Sequence, residues 1–127
     1  MVKSRRTMFD NAKNPLILQT KFEDFQRYTH EALFQFPKKE RFLLCGQIQT
    51  ATDEAMQLII RFRLKYYKKT TLEDIDIKVG FLRTLVREAH FFQYISTGKL
   101  GEWIGQLDEI GRIIGGLKKF YSEQGKR

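Results

Sequence analysis

The sequence has little cysteine and no long hydrophobic run, and both deficits narrow the classes of protein to consider. Its single cysteine, Cys45, cannot form an intramolecular disulfide, and its apolar neighbours favour a small buried side chain in a reducing compartment. The chain has no uncharged stretch of membrane-spanning length, no lipidation motif, and an apolar run at 16–18 too short for a signal peptide. We therefore expect a soluble, cytoplasmic protein without a membrane partner.

Motifs for catalysis and cofactor binding are also absent from the sequence. There is no P-loop, no dinucleotide-binding fingerprint and no CxxC pair. A metal-dependent bundle enzyme would need His30 and His90, which fall on different predicted helices, together with acidic ligands such as Glu31 or Glu88. Histidines partly exposed on helices are the simpler interpretation. The sequence thus predicts no catalytic residue, no metal and no cofactor.

Positive charge is what the chain has in excess. It carries 23 lysines and arginines against 15 aspartates and glutamates, a formal net charge of +8 over 127 residues. This length is typical of one domain, and so strong a charge on a small domain attracts polyanions. An anionic membrane surface could use the same charge, but the sequence offers no anchor for it. RNA or DNA is therefore the predicted class of partner.

Four segments show apolar residues with the period of an α-helix. They predict helices at residues 21–36, about 38–67, about 72–95 and about 99–121. The predicted core positions are Phe22, Phe25, Tyr28, Ala32, Leu33 and Phe36 in the first helix, Phe42, Cys45, Ile48, Ala51, Ala55, Leu58, Ile59 and Phe62 in the second, Ile75, Val79, Leu82, Leu85, Val86, Ala89 and Phe92 in the third, and Leu100, Ile104, Leu107, Ile110, Ile114 and Leu117 in the fourth.

The breaks between these segments are short and carry recognisable signals. Pro37 ends the first helix, and the stretch Ser96 to Gly98 forms a turn before the fourth. Thr71 and Asp74 have the spacing of a capping box, in a first turn rich in carboxylates (Glu73, Asp74, Asp76) that the helix dipole favours. Short connections favour antiparallel neighbours. The prediction is an all-α, antiparallel four-helix bundle at residues 15–121, between a flexible basic arm (1–14) and a polar tail (122–127).

The fourth predicted helix is unusually rich in glycine. It contains Gly101, Gly105, Gly111, Gly115 and Gly116, and each glycine inside a helix costs about 1 kcal/mol relative to alanine. Glycines four positions apart lie on one side of a helix, where a missing side chain lets another backbone approach. The spacing predicts a close helix–helix contact, either within the bundle or between subunits.

Basic residues align at the end of the second predicted helix. Arg61, Lys65, Lys68 and Lys69 have the spacing of one stripe, with Arg63 nearby, and the adjacent Tyr66 and Tyr67 could stack on bases. Such a stripe could neutralise several phosphates. The alternative is a solvated surface, because the dipole of a helix favours cations at its C-terminus.

Two further pairs of basic residues are candidate nucleic-acid ligands. Arg83 and Arg87 lie one turn apart within the third helix, where the dipole does not explain them, and this favours a binding role. Lys118 and Lys119 end the fourth helix. Arg112 follows Asp108 by one turn, so a structural ion pair is expected there.

Three strings in the sequence combine into a family pattern: FPKKERF at 36–42, GQI at 46–48 and LDEIGRIIGG at 107–116. Together they resemble the four-helix-bundle family that includes the accessory variability determinant proteins of diversity-generating retroelements. The likeness covers about residues 15–120. The same family includes proteins encoded in intervening sequences of bacterial 23S ribosomal RNA genes, and the motifs do not separate the two branches.

The resemblance implies a homopentameric barrel of bundles that binds a reverse transcriptase and the template RNA or its DNA counterpart. Such a protein supports mutagenic complementary-DNA synthesis without catalysing it. The family's paired basic residues on the third helix match Arg83 and Arg87 here. The other branch would imply a bundle protein of unassigned role that has no reverse-transcriptase partner.

Overall fold

The computed structural model describes residues 15–64 and 68–125 of the chain. These residues form four α-helices, and no strand is found among them: α1 (Pro15–Leu33), α2 (Leu44–Leu64), α3 (Lys68–Phe91) and α4 (Thr97–Gly125), with a 3₁₀ turn at Lys38–Glu40. The predicted all-α fold with four helices is confirmed. The predicted basic arm, residues 1–14, lies outside the described residues.

The helices pack as a ring in which each contacts two neighbours, α1 with α2 and α4, and α3 with α2 and α4. Along the contact between α1 and α4, residue numbers rise in one helix as they fall in the other. Lys21 Nζ lies 3.1 Å from Glu109 Oε2, and the Tyr28 hydroxyl donates to Glu102 Oε2 at 3.1 Å. Short connections reverse the chain between consecutive helices. The bundle is therefore antiparallel, as predicted.

Large side chains fill the centre of the bundle, and Trp103 of α4 is the largest of those that are fully buried. Its indole N–H donates to the buried Thr29 hydroxyl at 3.0 Å, which satisfies both polar groups inside the core. The predicted core omitted Trp103 and wrongly included Phe42 and Phe92, which are 89% and 50% exposed. Both phenylalanines lie just beyond a helix end, where the 3.6-residue period no longer governs burial.

Helix α1 begins at Pro15, six residues before the predicted start. Proline suits the first position of a helix because the N–H that it lacks would have no partner there. Leu18 is fully buried and extends the apolar stripe of Phe22 and Phe25 by one turn. The helix ends at Leu33 rather than at residue 36, because Pro37 has no N–H to donate to the Leu33 carbonyl and also disfavours helical geometry in the residue before it.

Helix α2 begins at Leu44, six residues later than predicted, because a 3₁₀ turn and a further turn follow Pro37. The carboxylate of Glu40 accepts the backbone N–H of Leu44 at 3.1 Å and the Tyr94 hydroxyl at 2.6 Å. These two hydrogen bonds lower the pKa of Glu40. Glu40 thus closes the start of α2 and joins it to the α3–α4 connection. The predicted residues 65–67 of this helix lie outside the described residues.

Helix α3 begins at Lys68, so the predicted cap at Thr71 is wrong: Thr71 is buried within the first turn. At the other end, Gln93 adopts a left-handed conformation with a φ of 65°. The backbone N–H of Tyr94 donates to the Ala89 carbonyl, and that of Gln93 to the His90 carbonyl, each at 2.9 Å. This is the Schellman pattern, which usually places glycine at the left-handed position.

Helix α4 begins at Thr97, where the Ser96 hydroxyl accepts the backbone N–H of Lys99 at 3.1 Å and caps the first turn. It continues to Gly125. Residues 122–125 of the predicted polar tail are therefore helical, and residues 126 and 127 lie outside the described part of the chain.

Candidate nucleic-acid interface

One end of the bundle collects most of the predicted basic residues. Helices α1 and α3 begin there, and α2 and α4 end there. Two contacts hold these termini together: Arg63 Nη1 donates to Gln19 Oε1, and Lys118 Nζ pairs with Asp76 Oδ2, each at 2.7 Å. We call this surface the basic end, and its basic residues are Arg61, Arg63, Lys68, Lys69, Lys118 and Lys119. Lys65, Tyr66 and Tyr67 lie outside the described residues.

The predicted stripe along a single helix is wrong, because α2 ends at Leu64 and Lys68 opens α3. The dipole explanation therefore applies to Arg61 and Arg63 but not to Lys69. Lys69 lies in the first turn of a helix, where the dipole opposes a cation. Because the dipole does not favour a positive charge at that position, Lys69 is better explained by binding to a partner than by stabilising its own helix.

Lys68 is committed to the structure of the basic end. Its ammonium donates to the carbonyl of Phe62 in the last turn of α2, and it lies 4.9 Å from the centroid of the Phe62 ring. Burial lowers the pKa of this lysine. Lys68 thus caps the C-terminal end of α2 from the start of α3 and holds the two helices together.

Three cations of the basic end are exposed and make no ion pair or hydrogen bond with another described residue: Arg61, Lys69 and Lys119. Arg63 and Lys118 have the partners given above, but both contacts are partly solvated. The exposed ion pair of Lys118 contributes only about 0.2–1 kcal/mol, and the Arg63–Gln19 contact is a single hydrogen bond at the surface. A phosphate could therefore replace Asp76 or Gln19 as the partner. The basic end can therefore present five cations to a polyanion.

Arg83 and Arg87 differ although they lie one turn apart on α3. Arg83 Nη1 lies 2.9 Å from Asp108 Oδ1 of α4, and Nη2 donates to the Leu107 carbonyl at 3.3 Å. The premise that Arg83 lacks a structural role is therefore wrong. Because Asp108 forms its ion pair with Arg83, the predicted ion pair between Asp108 and Arg112 does not form. Arg87 is exposed and makes no polar contact with another described side chain.

The structure does not bring Arg87 to the basic end. Arg87 follows Lys68 by 19 positions on the same helix, which corresponds to about 28 Å at 1.5 Å per residue. The described candidates thus separate into the basic end and a pair on α3, in which Arg83 contacts α4 and Arg87 is exposed near the C-terminal end of the helix.

The glycines of α4 do not support close packing within one bundle. Outside its own turn of helix, a Cβ atom placed on Gly101, Gly105, Gly115 or Gly116 would meet no atom of a described residue within 4 Å. Gly111 differs, since its Cβ would lie 3.2 Å from Arg83 Nη2, and the missing side chain makes room for that guanidinium. Of the two explanations left open by the sequence, packing inside the described bundle is excluded for four of the five glycines.

The histidines have local explanations. The His90 ring nitrogen Nε2 lies 3.2 Å from the Thr97 hydroxyl, and His30 contacts the Phe34 ring edge-on at 5.1 Å between centroids. Within residues 15–64 and 68–125, no three His, Cys, Asp or Glu side chains come together as metal ligands would. None of the helices described has an apolar stretch long enough to cross a lipid bilayer.

The sequence interpretation missed a group of exposed phenylalanines at the opposite end of the bundle, around the α1–α2 and α3–α4 connections. Phe34 is 74% and Phe91 is 75% exposed, and Phe42 and Phe92 lie near them along the chain. The signal was available for Phe34, because it falls between the apolar stripe positions Ala32 and Phe36. An aromatic residue off the stripe of an amphipathic helix is expected to face solvent.

These observations define a class of protein: a four-helix bundle with a basic surface at one end, where some of the cations have no partner among the described residues. A family model described as bAvd-like matches residues 16–121. This match covers nearly all of the four helices, and the chain belongs to that family, which in general consists of accessory proteins rather than enzymes. Neither a curated protein nor a solved structure matches the sequence.

Proposed function

We propose that the protein is a non-catalytic accessory subunit of a diversity-generating retroelement. In this role it binds the reverse transcriptase and the template RNA or complementary DNA, and so supports mutagenic reverse transcription in the cytoplasm. The observation that carries the proposal is the family match over residues 16–121. The net charge of +8 supports the nucleic-acid part, since lysines and arginines that neutralise phosphates release condensed counterions.

The uncommitted cations of the basic end are the proposed phosphate ligands. Arg61, Lys69 and Lys119 are exposed on three different helices around this end, so they can contact a strand that passes across it. Phosphate contacts position a nucleic acid without reading its bases. Binding at the basic end should therefore tolerate sequence changes and weaken as salt rises.

A homo-oligomer, and by family resemblance a pentamer, completes the proposal. The open space at four glycines of α4 supports an oligomer. Glycines lower the stability of a helix, and a neighbouring subunit that packs against them could offset this cost. Light scattering should give about five times the 15.1 kDa of one chain. Gly105→Leu should lower the assembled mass while the helical circular dichroism is kept. A monomeric mass for the unaltered protein would contradict the proposal.

The partner is tested by co-expression with the reverse transcriptase encoded beside its gene. A tagged protein should retain that enzyme after nuclease treatment, which removes indirect bridging by RNA. Absence of a neighbouring reverse-transcriptase gene, or failure to retain the enzyme, would favour the branch found in ribosomal RNA intervening sequences.

The surface is tested with the triple variant R61A/K69A/K119A. Its control is R61K/K69R/K119R, which keeps all three charges. If each residue contacts one phosphate, the slope of log affinity against log salt should fall by about 0.9 per lost contact on duplex DNA and about 0.7 on single strands. The control should keep the original slope. An unchanged slope in the alanine variant would show that nucleic acid binds elsewhere, with Arg87 as the next candidate.

A further inference from the structure

A groove runs beside the α1–α2 connection, at the end of the bundle opposite the basic end. It has a volume of about 420 Å³, and its walls include His30, Phe34, Pro37, Lys38, Arg41 and Gln49. We call it the aromatic groove. Helix α1 has 19 residues, so the groove lies about 28 Å along the bundle from the basic end.

Phe34 gives the groove an open aromatic surface. The ring meets His30 in an edge-on contact, with an interplanar angle of 88°, and is otherwise 74% exposed. A phenylalanine exposed to water lacks the favourable free energy of burial that most apolar side chains gain on folding. A ligand with a flat aromatic surface could cover the ring and recover that burial.

The charges of the groove select the class of ligand. Lys38 and Arg41 are exposed at its wall, and neither forms an ion pair with a described residue. No carboxylate is among the residues that line it, although Glu40 lies between them in sequence. The carboxylate of Glu40 is already engaged by the Tyr94 hydroxyl and the Leu44 N–H. Other grooves of the described surface do include carboxylates, such as Glu31 beside α1.

An exposed ring beside two cations matches the chemistry of an unpaired nucleotide, in which a base and a phosphate are linked. In a duplex both faces of each internal base are stacked on neighbours, so only an unpaired or end base can cover Phe34. We propose that the aromatic groove binds single-stranded nucleic acid, with a base stacked on Phe34 and the adjoining phosphates held by Lys38 and Arg41. This inference rests on the proposed nucleic-acid function and adds a second, strand-selective site to the basic end.

The test compares the full-length protein on a labelled thymidylate strand of about 12 nucleotides and on a duplex of the same length, by fluorescence anisotropy. Phe34→Ala should weaken binding of the single strand by about 5- to 150-fold, the loss expected for one base–aromatic stack. Duplex binding should change less than about twofold, because the basic end is untouched. Phe34→Trp should restore single-strand binding.

The chain offers matched controls for both parts of the site. Phe91 is 75% exposed at the same end but does not line the groove, so Phe91→Ala should leave single-strand binding unchanged. Lys39 is exposed next to Lys38 and also lies outside the lining. K38A and K39A each remove one charge, and K38A should weaken single-strand binding more than K39A does.

The outcomes separate this inference from the function on which it rests. If the protein binds both duplex and single strand, and Phe34→Ala binds them as tightly as the unaltered protein does, the proposed role of the aromatic groove is wrong. The proposed role of the basic end is then unaffected. Loss of reverse-transcriptase binding in Phe34→Ala, with single-strand binding unchanged, would make the groove a protein-docking site and also overturn the inference. If the unaltered protein binds neither nucleic acid at low salt, both the aromatic-groove inference and the proposed nucleic-acid function are wrong.

Discussion

Arg83→Ala should destabilise the bundle, whereas Arg87→Ala should not. Both changes replace an arginine by alanine on α3, so their effects on helix propensity are nearly the same. Arg83 alone loses a 2.9 Å ion pair with Asp108 and a hydrogen bond to the Leu107 carbonyl. Arg87→Ala is therefore a matched control for the interhelical contact.

The magnitude follows from the exposure of the pair. The side chains of Arg83 and Asp108 are 31% and 46% exposed, so solvent screens their attraction and the ion pair contributes about 0.2–1 kcal/mol. The hydrogen bond to the Leu107 carbonyl adds about 0.5–1.5 kcal/mol. We expect Arg83→Ala to lower the free energy of unfolding by about 1–2 kcal/mol, and Arg87→Ala to change it by less than about 0.5 kcal/mol.

Urea denaturation followed by circular dichroism, at equal protein concentration, measures both variants. With a slope of about 1–3 kcal/mol per molar, the midpoint of Arg83→Ala should fall by about 0.3–2 M. A double-mutant cycle with Asp108→Ala should give a coupling of about 0.2–1 kcal/mol. Equal midpoints for the two single variants, or zero coupling, would refute the structural role given to Arg83.

Three further changes test the helix ends and the core. Gln93→Gly should raise the unfolding free energy by about 0.5–1 kcal/mol, because glycine relieves the cost of the left-handed conformation, and a lower urea midpoint would contradict this. Thr29→Val should lower it by about 1–3 kcal/mol by leaving the buried Trp103 indole N–H without an acceptor; an unchanged thermal midpoint would show that the hydrogen bond is dispensable. Burial, with the hydrogen bond to Glu102, raises the pKa of Tyr28 to about 12 from 10.0. The folded state thus disfavours the tyrosinate, so the contribution of Tyr28 to stability should be complete below pH 10 and lost as the pH rises through about 12. The difference between the alkaline absorbance titrations of the unaltered protein and of Tyr28→Phe should have its midpoint near pH 12, and a midpoint near pH 10 would refute this.

Local patterns in the sequence were sufficient to predict four helices and their antiparallel order. The 3.6-residue period of Phe22 and Phe25, or of Val79, Leu82 and Val86, is a property of neighbouring residues and survives whatever the helix packs against. Apart from the omission of the buried Trp103 from the core, the errors in the predicted fold lie at helix ends. Phe42 and Thr71 were misplaced because the ends depend on turns and distant partners, such as the Tyr94 hydroxyl that fixes the Glu40 cap of α2.

The sequence by itself determined the net charge, the period of the helices and the family pattern, since each depends only on composition or on residues close along the chain. Only the tertiary structure decided which cations are committed and which surfaces are open. Arg83 meets Asp108 across 25 positions, and Phe34 shares a groove with Gln49 of the next helix. Such contacts depend on the rotation and axial offset of one helix against another, and the packing of the whole core sets both.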